Sequence, residues 1–206
     1  MTFITFEGGE GAGKTTLIEK IAFRLSGQNR SVLRTREPCG TRVGEEIRKI
    51  LLERREGEPL SPYAELSLFL ASRAQHLSEI IKPALEKGAI VLCDRFNDSS
   101  IAYQGMARGL GMDEVEKVCR FMSGGIEPAL TLYLDIDPEM GLARAKRDRG
   151  GQDRMESEAI AFHKKIREAY LRIHKKHPKR FHLLDAAMSP ERVFEEAMKI
   201  IDASHV

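Results

Sequence analysis

Residues 8–15 read Gly-Gly-Glu-Gly-Ala-Gly-Lys-Thr, and no other stretch constrains the chain as tightly. They satisfy G-x-x-x-x-G-K-[ST] and stand between segments of opposite periodicity. Before them, Phe3 to Phe6 form a short apolar run; after them, Leu17, Ile18, Ile21, Ala22 and Leu25 recur on one side of a helical period, with Glu19, Lys20 and Arg24 opposite. The order is strand, glycine turn, helix. Gly8, Gly9, Gly11 and Gly13 let successive backbone N–H groups approach phosphate oxygens. Glu10 and Ala12 complete the loop, Glu7 or Glu10 is expected to help organise it, and the helix beginning near Lys14 adds N–H donors at its positive end. Lys14 suits the β- and γ-phosphates of a nucleoside triphosphate, the Thr15 hydroxyl suits Mg²⁺, and Thr16 offers a hydroxyl or its amide. A turn that merely starts a helix needs neither the lysine nor the spacing. The loop alone does not separate kinases from ATPases and GTPases, although no Asn-Lys-x-Asp follows to read guanine.

The strand-like format recurs. Ser31 to Thr35 suggest a second strand, and Ile90 to Cys93, Leu130 to Leu134 and Phe181 to Leu184 are short, largely apolar runs, separated by helical patterns such as Val43–Leu52, Ser61–His76 and Leu77–Lys87, the last with Pro83 as an interruption or boundary. Nearly continuous apolar strands alternating with helices predict an α/β chain: a three-layer fold with a five-stranded, mostly parallel sheet surrounded by helices. At 206 residues the whole chain, 1–206, is expected to form one domain, with a basic excursion near 144–155 serving as an exposed loop or lid. Lys+Arg 33 against Asp+Glu 31 is too balanced to argue for a nucleic-acid polymer as partner. No apolar run approaches the ~18 residues of a membrane span, and no leader precedes the first strand. Cys39, Cys93 and Cys119 show no metal-ligand spacing, and an odd count suits a reducing compartment, so a soluble, cytoplasmic protein is expected.

In a parallel α/β sheet, ligands gather at the carboxyl ends of the strands. Arg36-Glu37-Pro38 follows the second candidate strand and Asp94-Arg95 the third, so these residues should converge beside the phosphate loop. Arg36 and Arg95 are suited to bidentate phosphate contacts, and Asp94 to positioning water around Mg²⁺ or orienting basic side chains. Glu37-Pro38 also reads as a structural corner, with an X–Pro bond for which cis is accessible. Between Arg144 and Arg154, five basic residues face two acidic ones, giving a strip able to neutralise charge on a transferring phosphoryl group; Arg149 and Arg154 are the chosen candidates. The basic stretch Lys164–Arg180 instead reads as the solvated face of an amphipathic helix, and His163, His174, His177 and His182 form no zinc pattern.

Beyond the phosphate loop, the blocks Thr35-Arg36-Glu37-Pro38-Cys39-Gly40-Thr41, Phe69 with Arg73, Asp94-Arg95-Phe96, Ser99 to Gly105 and the lid ending Asp153-Arg154 together resemble the bacterial-type thymidylate kinase family, from the first strand to about residue 158. The resemblance implies transfer of the ATP γ-phosphoryl group to dTMP with Mg²⁺, giving ADP and dTDP, by a homodimer packed partly through long helices. It implies that Phe69 stacks on thymine, Arg73 reads its polar edge, and Ser100 and Gln104 assist. Arg36 and Arg95 would clamp the dTMP phosphate, with Glu37 beside them; Glu10 would lie near the acceptor sugar and phosphate; Tyr103 would crowd a ribose 2′-hydroxyl. Lys14, Glu10, Arg95, Arg149 and Arg154 would form the catalytic set, the lid supplying the charge that some relatives place inside the loop. Two positions depart from the pattern: Cys39 stands where glycine is common, and Phe96 where tyrosine or histidine often follows Asp-Arg.

Overall fold

Each strand candidate becomes a strand: β1 Phe3–Gly8, β2 Val32–Arg36, β3 Ile90–Asp94, β4 Leu130–Asp135 and β5 Phe181–Asp185. The computed structural model describes residues 2–28, 30–53, 59–149 and 154–204. The strands lie in the order β2-β3-β1-β4-β5, and every neighbouring pair is parallel. Burial explains the hydropathy. All six residues of β1, at the centre, are buried, whereas the edge strands β2 and β5 carry exposed positions.

The helices are α1 Lys14–Ser26, α2 Arg42–Leu52, α3 Pro62–His76, α4 Lys82–Glu86, α5 Asn97–Ser100, α6 Met112–Met122, α7 Pro138–Arg149, α8 Ile160–Lys176 and α9 Pro190–Ala203. On one face, Leu17, Ile21 and Leu25 of α1 and Val193, Ala197 and Ile201 of α9 pack on Ile4, Phe6, Leu92 and Leu132. A separate cluster joins Leu66 and Leu70 of α3 to Ile166, Tyr170 and Ile173 of α8 and to Tyr133 and Phe181 of the sheet. Three layers result.

Local signals set several boundaries. Ser61 caps α3 by accepting from the Ala64 N–H, with Pro62 in the first turn where no N–H is needed, and Thr41 caps α2 through Gly44 N. Pro83 does not stop the helix there. The chain widens into a π-helical turn over Leu77–Ile81 and continues as α4, so the missing proline N–H falls in a first turn. The segment from Arg144 also differs from the expected loop: Arg144 to Arg149 are the last turns of α7, an outcome consistent with the high helix propensity of Ala, Arg and Lys.

The chain leaves β1 toward β2 on one side and returns, after β3, to β4 on the other. The crevice therefore opens beyond the carboxyl ends of β1 and β3, where residue 9 and residue 95 begin their turns.

Candidate active site

The loop after β1 is built for an anion. Gly13 caps α1 at φ 89°, with no side chain filling the helix terminus, so the first amide groups of α1 are left to a ligand. Lys14 is buried and lies back across the loop, its Nζ donating to the carbonyls of Gly8 and Gly9 at 3.1 Å each. Burial, and then the nearby Arg95 charge, lower the Lys14 ammonium below its ordinary range. Thr15 and Thr16 are exposed at the helix start, while Ala12 points into the core. Gly11, at φ 66°, meets Gly141 of α7: a Cβ on Gly11 would overlap the Gly141 carbonyl, and one on Gly141 would overlap the Glu10 carbonyl. Helix α7 thus rests directly on the phosphate loop.

A cleft of about 1160 Å³ runs from this loop past the ends of β2 and β3; Lys14, Arg36, Phe69, Asp94, Arg95 and Tyr103 all line it. Arg95 adopts φ 71°, a conformation that L-residues seldom take, and this turn sends its guanidinium back toward the loop. Arg95 Nη2 donates to Glu10 Oε1 at 2.7 Å, its Nη1 to Ser99 Oγ at 3.3 Å, and the group lies over the Tyr103 ring at 5.1 Å. The Tyr103 hydroxyl donates to the same Glu10 oxygen at 3.2 Å. Burial raises the Tyr103 phenol, so it remains a donor. Arg36 is exposed and its Nε donates to Cys39 Sγ at 3.2 Å.

Phe69 is half-buried in the cleft wall and belongs to none of the core clusters. Arg73, one helical turn on, is only 2% exposed and bonded at all three nitrogens: Nε donates to Glu37 Oε2 at 2.6 Å, Nη1 to Ser100 Oγ at 3.1 Å and Nη2 to the Phe96 carbonyl at 3.1 Å. The Phe96 ring also receives the Arg73 guanidinium at 5.2 Å. Glu37, before a cis Pro38, is held on its other oxygen by His76 Nδ1 at 3.2 Å, and His76 Nε2 lies 2.6 Å from Thr35 Oγ1. Gln104 lines the cleft and donates from Nε2 to Glu65 Oε1 at 2.8 Å.

Of the lid candidates, Arg154 donates from Nε to the Leu51 carbonyl at 2.7 Å, and its Nη2 lies 2.7 Å from Glu65 Oε2, an ion pair outside hydrogen-bond angles. Arg144 donates to the Ala186 carbonyl at 2.9 Å. Arg149 ends α7, and its side chain lies outside the described residues, as do Gly150 to Asp153.

Of the buried supports of this site, the sequence pointed only to Glu7, offered alongside Glu10 as an organiser of the loop. Glu7 is fully buried under the loop and accepts from Phe96 N at 2.8 Å, Ser99 Oγ at 2.6 Å and Tyr170 Oη at 2.9 Å. Burial and then the Asp98 charge push its carboxyl up to about 7. Glu65, His76 and Arg108 carried no motif that marks them. A glutamate inside a buried strand was the one legible hint, because such a charge requires partners.

Comparison with known proteins decides which phosphate-handling family this is. A family model described as thymidylate kinase matches residues 6–197. The chain belongs to the thymidylate kinase family. It is 45% identical over 206 residues to the thymidylate kinase of Protochlamydia amoebophila, covering 97% of this chain and 92% of that one. It is 46% identical over 204 residues to that of Lactobacillus delbrueckii, covering 98% and 96%. The crystal structure of thymidylate kinase from Ehrlichia chaffeensis superposes with a TM-score of 0.77 at 33% identity, covering 97% of this chain and 98% of that one. Thymidylate kinases use ATP with Mg²⁺, and the donor set here fits a divalent cation: among the described residues Asp94 Oδ1 is buried with no hydrogen-bond partner, in the same cleft as the exposed Thr15 hydroxyl.

Proposed function

We propose that this chain transfers the γ-phosphoryl group of ATP to the 5′-phosphate of dTMP, giving ADP and dTDP. The observation that carries the reading is one cleft lined by both the phosphate loop and Arg36 and Arg95, with Glu10 bridging the two halves through its 2.7 Å contact to Arg95. Donor and acceptor phosphates held on these groups would face each other, and transfer then needs positioning and charge neutralisation rather than a covalent enzyme intermediate. Lys14 exchanges the Gly8 and Gly9 carbonyls for β- and γ-phosphate oxygens. Thr15 and Asp94, directly or through water, would hold Mg²⁺, which neutralises triphosphate charge when bound. Arg36 and Arg95 orient the acceptor phosphate; Glu10 keeps Arg95 aimed; Phe69 stacks on thymine between Arg73, Ser100 and Gln104; and the ring of Tyr103 stands where a 2′-hydroxyl would come. Arg149 and Arg154 supply positive charge once residues 144–155 close as a lid over the single domain, which for Arg154 requires leaving Glu65.

A homodimer in the cytoplasm completes the proposal. Val118 and Phe121, 42% and 81% exposed one turn apart on α6, support a helix-packed partner surface. The three cysteines, all free and buried, are consistent with a reducing compartment, and no described helix is long and apolar enough to cross a membrane.

The deciding experiment incubates the protein with ATP, Mg²⁺ and, separately, dTMP, dUMP, dCMP, dGMP, AMP and thymidine, and separates the products. Dominant, enzyme-dependent dTDP is expected. Preferential phosphorylation of another acceptor, or phosphate release without a nucleotide product, would overturn the assignment.

A further inference from the structure

Glu65 is wholly buried on α3, one turn before Phe69, and is not itself among the residues lining the cleft. Three side chains converge on it. Gln104 Nε2 donates to Oε1 at 2.8 Å; Arg108 donates from Nε to Oε1 and from Nη2 to Oε2, both at 3.1 Å; and Arg154 Nη2 lies 2.7 Å from Oε2. Although burial opposes ionisation, the hydrogen bonds from Arg108 and Gln104 hold the carboxyl below its ordinary range. An ionised carboxylate only accepts hydrogen bonds, so the Gln104 amide has one permitted orientation at this contact, amino group toward Glu65. Among the described residues the amide oxygen of Gln104 has no partner, and Gln104 itself is 2% exposed in the wall that also holds Phe69, Arg73 and Ser100.

Resting on the thymidylate kinase reading, we infer that Glu65 is a positioning residue that sets which pyrimidine edge the site accepts, by holding the Gln104 amide so that its carbonyl oxygen, not its amino group, meets the acceptor base. Thymine and uracil offer an N3–H donor between two carbonyls. Cytosine offers a bare N3 acceptor there, and an acceptor facing an acceptor leaves both unpaired. The discrimination is therefore against cytosine and is blind to the 5-methyl group. In Glu65→Gln the carbonyl is best kept at the Oε2 position, which faces Arg108 Nη2 and Arg154 Nη2, so the amino group takes the Oε1 position, giving up the bond from Arg108 Nε and facing Gln104, whose amide then reverses and offers N–H to the base.

The test measures kcat/KM for dTMP, dUMP and dCMP, with the Ki of dCMP against dTMP where turnover is too slow, in the wild type, Glu65→Gln, Glu65→Asp and Gln104→Met. Glu65→Gln is expected to lower the dTMP:dCMP preference about tenfold or more, while the dTMP:dUMP preference stays within about twofold, as for independent contacts. Glu65→Asp keeps an acceptor-only group and is expected to keep the dTMP:dCMP preference even if turnover falls. A folded Glu65→Gln enzyme with an unchanged dTMP:dCMP preference overturns the inference. So do both preferences falling together, the signature of a merely loosened cleft. Should Glu65→Gln not fold, Gln104→Met decides: a lowered dTMP:dCMP preference supports the inference and an unchanged one overturns it. A wild type that makes no dTDP would instead sink the functional reading itself.

Discussion

Arg95 combines backbone strain with a functional aim. Its φ of 71° is unfavourable by ~1–2 kcal/mol for a residue with a Cβ, and the return is a guanidinium delivered to Glu10, Ser99 and the Tyr103 ring. Arg95→Gly relieves the backbone while removing the charge, so stability and catalysis should part company: the midpoint of thermal unfolding should stay within a few degrees of wild type, whereas kcat/KM for dTMP should fall by ~100-fold or more. Equal losses of both would assign Arg95 a structural role. Glu7 makes a second residue-scale prediction. Its folded carboxyl titrates near 7 against 4.5 when unfolded, so between these pH values the folded state holds the extra proton. This contribution to stability is fully present below 4.5 and is lost as pH rises through about 7. Glu7→Gln abolishes the titration; in urea unfolding, its stability relative to wild type should climb from pH 5 to pH 8. A pH-independent difference would contradict the burial argument.

Among the elements, α7 has the most consequential seat. Gly141 lets it approach the Glu10 carbonyl, and Glu10 in turn holds Arg95, so α7 is mechanically tied to the residue proposed to clamp the acceptor. Gly141→Ala places a methyl group where that carbonyl sits; a loss of ~1–3 kcal/mol in chemical denaturation is expected, together with reduced turnover. Wild-type stability and turnover would show that the two elements slide freely. That seat was invisible in the sequence, as were the pairings of Glu65 with Gln104 and Glu37 with His76, each joining residues 39 positions apart with no local spacing to reveal them. The strands were legible for the opposite reason. β1, β3 and β4 are nearly apolar runs buried in a parallel sheet, so local composition and tertiary environment agree. The run Arg144–Arg149 misled because its charge resembles a loop, although its residues favour helix and the structure continues α7 through them.

At the scale of the whole molecule, topology does what no single motif could. The reversal of strand order around β1 brings Lys14, Arg36, Asp94 and Arg95 to one crevice from segments far apart in the chain. The basic face of α8 has its own internal use: Arg167 pairs with Asp135 at 2.8 Å, Lys176 with Asp113 at 2.9 Å, and Arg180, just beyond the helix, with Asp98 at 2.7 Å. The apolar exposure on α6 has no such internal partner among these contacts. If the proposed homodimer packs through this face, Phe121→Asp shifts it from dimer to monomer in light scattering coupled to size exclusion; a dimer unaffected by it would move the interface elsewhere.

The account as a whole stands on the two nucleotides meeting phosphate to phosphate inside one cleft. A compound joining the 5′ ends of adenosine and thymidine through five phosphates should compete with both ATP and dTMP and bind more tightly than either, because its second half is captured at a high effective concentration. Competition with only one of the two substrates, at an affinity no better than that substrate alone, would contradict it.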